Sequence, residues 1–475
     1  MLLPLLMTRD LLRHCDARLQ GPLEQVMRNW ALRNTENHTA PASFTILNIK
    51  DIDFLLSKLS KRQDIEPKTS INEWIPASFL YLTDINTGFD MSNQMILPRI
   101  LQVGANASET VSTVLATLGC SRPLIITDKM MVQLGYAGRI QEGLAANGRT
   151  AEIFADTVPE PTVDSIRAGV QKARAGDYDS IIALGGGSPI DSAKAIGILA
   201  KHGGEMRDYK FPRIVTEVGL PIIAVPTTAG TGSEVTRFTI ITDEQNDEKM
   251  LCVGIGFMPV AALVDYNLTL SLPPRVTADT GIDALTHAIE AYVSQKANLY
   301  SDSQALAAMR LIGPNLRKAY RSGQDTAARE ALMLGSTLAG VAFSAASVAL
   351  VHGMSRPIGA FFHVPHGLSN AMLLPSVTAF SIPAAEERYA ECARAMGVAD
   401  RQDSTQTANG RLLAELRSIN ADLQVPMPEQ FGIDRERFFS LMPTMAQQAL
   451  ASGSPGNNPR VPSVAEMVEL YRGLW

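Results

Sequence analysis

Cysteine is scarce in this chain. There are 4 in 475 residues, at Cys15, Cys120, Cys252 and Cys392, and no two are close in sequence. Such spacing builds neither a disulfide framework nor a C-x-x-C site, so they read as reduced thiols of a cytoplasmic protein. An excess of positive charge is missing too. Lys and Arg number 42 against 48 Asp and Glu, a formal net charge of -6, and there is no basic tract. That excludes the usual electrostatic surface for nucleic acid. Long apolar runs are absent. The apolar start, Met1 to Met7, is too short for a membrane span or a signal-peptide core, and charged residues follow at once. There is no internal repeat and no low-complexity tract. Histidine is rare as well, with 7 in all, which makes a local concentration of it informative.

The remaining composition, 46% hydrophobic over 475 residues, is ample for a core and suggests two or three domains. Residues 1–90 carry Trp30, Trp74 and mixed polar runs, and no chemistry; they read as a poorly ordered extension. Residues 91–272 alternate short apolar strands with helical patterns. Strands are expected at Arg99–Val103, Pro123–Thr127, Thr150–Phe154, Ser180–Leu184 and Pro221–Val225. This alternation predicts an α/β domain with a mostly parallel sheet covered by helices on both faces. After Pro273 and Pro274 helical periodicity takes over, including one long helix over Thr326–Val351, so residues 273–475 are expected to form an all-helical domain. A cleft between two such domains is the natural place for a site.

Three of the histidines fall between Asp283 and His366 in ligand-like contexts. Asp283 and His287 are four apart in an Ala-rich helical pattern, which puts both on one face, a turn apart. His352 follows a small, apolar helical run, His366 comes 14 residues later, and His363 sits beside it. Each alone could be a satisfied core histidine. Together, one carboxylate and three imidazoles are a ligand set for a divalent transition metal, zinc or ferrous iron.

Two glycine-rich turns follow strands in the first domain. Gly185, Gly186, Gly187 and Ser188 open a helix, where bare backbone N–H groups and the helix dipole favour a phosphate. The run from Pro226 to Thr236 supplies the hydroxyls of Thr227, Thr228, Thr231 and Ser233 beside flexible backbone. Neither turn has the G-x-G-x-x-G fingerprint, and either could be a plain tight connection. Asp128 ends an early strand, where a carboxylate can accept from adenosine ribose hydroxyls and repel the extra phosphate of NADP; it is equally suited to capping the next helix.

The stretches "TADTGIDALTHAIEAYVS" and "LVHGMSRPIGAFFHVPHGLSNAMLLP" resemble the iron-containing (group III) alcohol dehydrogenase family. The likeness extends through both glycine turns and covers roughly residues 91 to 475. It implies that Asp283, His287, His352 and His366 hold one divalent metal, with Fe2+ favoured and Zn2+ the alternative. It implies an NAD site at the glycine turns, with Asp191 and Lys249 at matching motif positions. The implied fold is the dehydroquinate synthase-like architecture of that family. The implied activity is reversible hydride transfer between a small alcohol or aldehyde and NAD, in a homodimer or higher homo-oligomer. A lyase resembling dehydroquinate synthase and a cofactor-binding protein without turnover are the alternatives. One departure stands out: many members carry His four residues after the first His of "HGM", and this chain has Arg356. Arginine cannot shuttle protons at neutral pH, so Arg356 is expected either to hold an acidic substrate group or to serve structure. His363 becomes the candidate proton carrier.

Overall fold

The computed structural model describes residues 93–246 and 248–475; the expectation for residues 1–90 lies outside them. Eight strands precede Asp265 and none follows among the described residues. They are β1 (Ile100–Val103), β2 (Pro123–Ile126), β3 (Glu152–Phe154), β4 (Ser180–Gly185), β5 (Ile222–Pro226), β6 (Phe238–Asp243), β7 (Glu248–Val253) and β8 (Ala261–Val264). Six form one sheet in the order β1-β8-β5-β4-β2-β3, with every pairing parallel.

The register follows from burial on both faces. Successive side chains alternate, so a strand buried on both sides must be apolar throughout. Leu124, Ile126, Ile181, Ala183, Ile222 and Ala224 enter one core, against helices α4 (Val163–Ala175) and α5 (Gly187–His202). Ile125, Ile182, Leu184, Ile223, Val225 and Leu263 enter the other. There they meet α1 (Val111–Leu118) and α3 (Tyr136–Ala145), which flank the short α2 (Lys129–Gln133). Because the strands are parallel, all their C-terminal ends lie along one edge, the edge where ligands bind in open α/β sheets.

A two-stranded antiparallel hairpin, β6–β7, was not foreseen from the sequence. Its side chains alternate between buried and half-buried, with Thr239, Ile241 and Asp243 inward. Lys194 of α5 ties it down: the fully buried ammonium donates to the Phe238 and Thr236 carbonyls and to the Thr236 and Ser233 hydroxyls. Burial pushes Lys194 down to about 8, with Asp191 and Glu234 opposing that shift.

From Pro274 on, every element is helical: α6 (Pro274–Val293), α7 (Leu299–Arg321), α8 (Thr326–Ala346), α9 (Leu350–Phe362), α10 (His366–Ser381), α11 (Glu386–Ala395), α12 (Thr405–Asp422), α13 (Pro428–Phe431), α14 (Arg435–Ala451) and α15 (Val464–Arg472), with short 3-10 turns between some of them. The chain is thus an α/β half followed by a helical half. Helix α6 is buried on all sides from Gly281 to Val293, the mark of a central core helix rather than an amphipathic surface one.

The long helix expected over Thr326–Val351 is two helices, α8 and α9, bent by 103° across the break at Ser347–Ala349. Three side chains make the break. Ser347 takes φ 67, a left-handed value uncommon for a residue with a Cβ. The Ser294 hydroxyl donates to the Ala346 carbonyl at the end of α8. Asn457 donates to the Ser347 hydroxyl and the Val348 carbonyl. No single described helix is long and apolar enough to cross a membrane.

Candidate metal centre and cofactor cleft

Helix α6 presents Asp283, His287 and Glu290 at i, i+4 and i+7, one continuous face. Glu290 was missed from the sequence, although its spacing was the available signal. Its carboxylate accepts from the Ala349 amide at 2.9 Å, the Val351 amide at 2.5 Å and His352 Nδ1 at 2.6 Å. It therefore caps the first turn of α9 and orients the histidine that this turn carries. With Nδ1–H engaged, the Nε2 lone pair of His352 faces inward. His287 is set the same way, its Nδ1 lying 3.3 Å from the Gly230 carbonyl. Phe343 stacks on the His287 ring at 4.2 Å and His352 stacks on it from another side at 4.5 Å. His366 opens α10.

The four predicted ligand residues converge. Asp283 Oδ1 lies 3.5 Å from His352 Nε2, 3.7 Å from His366 Nε2 and 3.9 Å from His287 Nε2, and all four atoms fall within 4.8 Å of one another. Ligand atoms around a tetrahedral ion with bonds near 2.1 Å stand about 3.4 Å apart, so the cluster has the size of a coordination shell. Its electrostatics agree. Burial raises Asp283, but the three imidazoles overcome it and hold the carboxyl well below its usual range. Burial lowers His287 to about 4 and His366 to about 3, keeping lone pairs rather than protons on them. His352 is the exception: burial would lower it, but Glu290 and Asp283 carry it up to about 9, so an ion bound there would displace its Nε2 proton.

Asn370, four residues after His366, supplies a further test of fit. Its amide nitrogen sits 2.6 Å from Asp283 Oδ1 and 3.2 Å from both His352 Nε2 and His366 Nε2, while its Oδ1 is buried without a partner. Two N–H hydrogens face three acceptors and a carbonyl is stranded. Buried polar groups are rarely left so. A cluster of inward lone pairs with one carboxylate is the donor set that a divalent cation satisfies, and the residues fit such an ion.

The same cleft, about 200 Å³, is lined by Gly187, Ser188, Asp191, Thr231, Ser233 and Lys249 from the α/β half and by Arg356 and the four ligand candidates from the helical half. Helix α5 begins at Gly187 with Gly186 as its N-cap and no side-chain cap, so its first N–H groups face the cleft unclaimed. The two glycine turns pack on each other. A Cβ on Gly187 would come within 2.7 Å of the Thr231 methyl, so glycine serves this close approach as well as any ligand. Gly232, with φ +61, lets the second turn touch α8, where a Cβ would meet Gly340 Cα at 2.6 Å.

Other predicted residues sit differently. Asp191 is claimed by the protein: it accepts from Ser233 Oγ at 2.6 Å and from the Ile240 amide at 3.0 Å. Lys249 is paired with Glu160 at 3.0 Å. Gly185 ends β4, Gly186 follows it, and Thr227 and Thr228 follow β5; none of the four lines the cleft, and Thr227 is fully covered. Asp128 lies at the end of β2 and caps α2 through Met131 N at 2.9 Å. His363 is not brought to the site. It ends α9 in a left-handed conformation, φ 55, with an exposed side chain outside the cleft lining, because the chain must turn sharply there to start α10.

Comparison with known proteins follows the same division. Residues 98–266 match the family described as iron-containing alcohol dehydrogenase, and residues 277–475 match the C-terminal domain of the Fe-containing alcohol dehydrogenase family. Lactaldehyde reductase of Escherichia coli (strain K12) is 35% identical over 388 residues, 81% of this chain and 100% of that protein. Long-chain-alcohol dehydrogenase 1 of Geobacillus thermodenitrificans is 40% identical over 359 residues, 75% of this chain and 90% of that one. The crystal structure of a 1,3-propanediol oxidoreductase superposes with a TM-score of 0.78 at 34% identity, covering 81% of this chain and all of that one.

Proposed function

Because the chain belongs to the iron-containing alcohol dehydrogenase family and is thus a metal-dependent, NAD-linked alcohol dehydrogenase, we propose that Asp283, His287, His352 and His366 hold its single divalent ion. The observation that carries this is the convergence of their four ligand atoms within 4.8 Å. Ferrous iron is the proposed ion, in keeping with the family; zinc accepts the same donors. Oxidising one alcohol converts one NAD+ to NADH and releases one proton. When bound, the ion supplies Lewis-acid polarisation of the substrate oxygen, and NAD supplies the hydride acceptor.

The protein's part is positioning. Asp283 contributes the negative charge of the ligand set, and Glu290 and the Gly230 carbonyl fix the tautomers of His352 and His287. Phe343 covers one face of His287 and keeps water from that side. The first turn of α5, at Gly187 and Ser188, presents N–H groups to the cofactor pyrophosphate. Thr231 and Ser233 lie on the facing turn, and Asp191 holds that turn in place through Ser233. Asp128, just after β2, has a carboxylate suited to accept from the adenosine ribose hydroxyls, and this supports preference for NAD over NADP. Cys120, Cys252 and Cys392 are buried free thiols, consistent with a reducing, cytoplasmic setting. Leu101 and Val103 are exposed on the edge strand β1, with exposed Leu97 just before it, which supports a homo-oligomer.

The names of the relatives point to aliphatic alcohols and aldehydes. The test is therefore a panel of alcohols offered to protein reconstituted with ferrous iron or zinc. Sustained NADH formation that tracks metal content is expected. Full metal occupancy in both His352→Ala and His366→Ala would refute the assigned site.

A further inference from the structure

Arg356 lines the cleft one helical turn beyond His352. Its only hydrogen bond among the described residues runs from NH1 to Ser454 Oγ, at 3.0 Å; its Nε is buried with no partner, and it makes no ion pair with any described carboxylate. The arrangement is built rather than incidental. Gly353 lets the Ser454–Asn457 turn lie against α9, since a Cβ there would meet the Pro455 ring at 2.7 Å, and this brings Ser454 to the guanidinium. The other cation of the cleft, Lys249, is already neutralised by Glu160. A partly buried guanidinium with open donors and no paired carboxylate, only the more distant Glu290 charge acting on it, is unfavourable in the free protein. It is also the group best shaped for a planar anion.

We propose that Arg356, with Ser454, is the specificity site for a substrate whose far end carries a single negative charge, so that the preferred substrates are short-chain hydroxy acids and the corresponding aldehyde acids. The inference rests on the function proposed above and adds the substrate class. One cation without a paired carboxylate matches a monoanion, a carboxylate or a sulfonate, better than a phosphate dianion. Phe343 and Val348 line the same cleft and suit the short alkyl chain that joins the two ends.

The experiment uses the full chain, metal-reconstituted, with two matched series of three to six carbons: ω-hydroxycarboxylates against neutral primary alcohols, and ω-hydroxysulfonates as a second acidic arm. At one chain length kcat/KM for the acid should exceed that for the neutral alcohol by about tenfold or more, the size of one charge-assisted contact. The better of the two acidic arms names the anion. In Arg356→Gln that ratio should collapse, with the loss in KM rather than kcat, and Arg356→Lys should restore part of it. Butyrate should compete with a neutral alcohol in the wild type and butyramide should not. This measurement on the unaltered protein stands even if the Gln variant folds poorly. Turnover of neutral alcohols with no acid preference at any length, or equal inhibition by butyrate and butyramide, would overturn the proposal and leave the dehydrogenase reading intact. Should no alcohol be oxidised at all, that reading fails instead, and calorimetric binding of butyrate, lost in Arg356→Gln, still decides the role of the arginine.

Discussion

Replacing Glu290 with Gln removes one acceptor from a point where three donors meet. In the native site Oε2 accepts from Ala349 N and His352 Nδ1, and Oε1 accepts from Val351 N. A glutamine has one oxygen and one NH2. If its oxygen takes the Oε2 place, the NH2 faces the Val351 amide at a distance of 2.5 Å, donor against donor. If it flips, the NH2 faces Ala349 N and His352 Nδ1, and the imidazole must move its proton to Nε2, towards the metal position. Each orientation strands one backbone amide, but the second also puts the imidazole proton on the metal side, so the first is expected. Stranding one buried donor costs about 1–3 kcal/mol, and the loss of charge weakens the two remaining bonds, so unfolding free energy should fall by about 2–4 kcal/mol. Metal affinity should fall by about 10–100-fold, the usual effect of removing an outer partner from a ligating histidine. Urea unfolding of the metal-free protein gives the first quantity, and competition with a chromogenic chelator gives the second. Unchanged metal affinity in a variant that is clearly destabilised would refute the orienting role and leave Glu290 a helix cap only.

Three other outcomes are expected. Chelator treatment of the wild type should lower its melting temperature, by the linkage of a ligand that binds only the folded state, and His366→Ala should blunt that response in a thermal scan. Asp128→Gly should narrow the preference for NAD over NADP, chiefly by improving NADP; the lost cap costs only a few tenths of a kcal/mol with glycine, so a cofactor titration can be read cleanly, and a wild type that already favours NADP would refute the assignment. Lys194→Met takes the cation away from the Thr236 and Phe238 carbonyls and from the buried carboxyls of Asp191 and Glu234 and should lower stability by about 3–5 kcal/mol in urea unfolding; an unchanged midpoint would show that water reaches them.

The parallel sheet could be read from composition because strands buried on both faces have no choice but continuous apolar residues, as in Leu124–Ile126 and Ile181–Leu184. The hairpin could not be found that way, since half-buried strands such as Phe238–Asp243 carry Thr and Asp at inward positions and look like loop. Asp283 and His287 announced themselves by helical spacing, whereas the meeting of His352 and His366 with them depends on a bend that sequence periodicity did not show. Periodicity through Ala345 and Ala346 runs on smoothly. What stops the helix is supplied from afar, by Ser294 and Asn457. Glu290 and Asn370 were in register with the ligands all along, at i+3 from His287 and i+4 from His366. Their roles rest on what they touch across the fold, and single-helix spacing does not reveal that. His363 shows the converse: proximity in sequence to a ligand, with the chain turning its side chain outward.

The carboxylate of Glu290 ties together two events that could have been separate, the start of a helix and the aim of a metal ligand. A helix that begins correctly has, by the same bonds, already pointed His352 inward. The ordering of the ligand shell is thus completed during folding, with little conformational entropy left for the ion to overcome. Apo and loaded protein should then share one backbone, and an ion can leave and be replaced without refolding. Which metal occupies the centre in a cell would follow from supply and exchange rate more than from a shape that only one ion can induce.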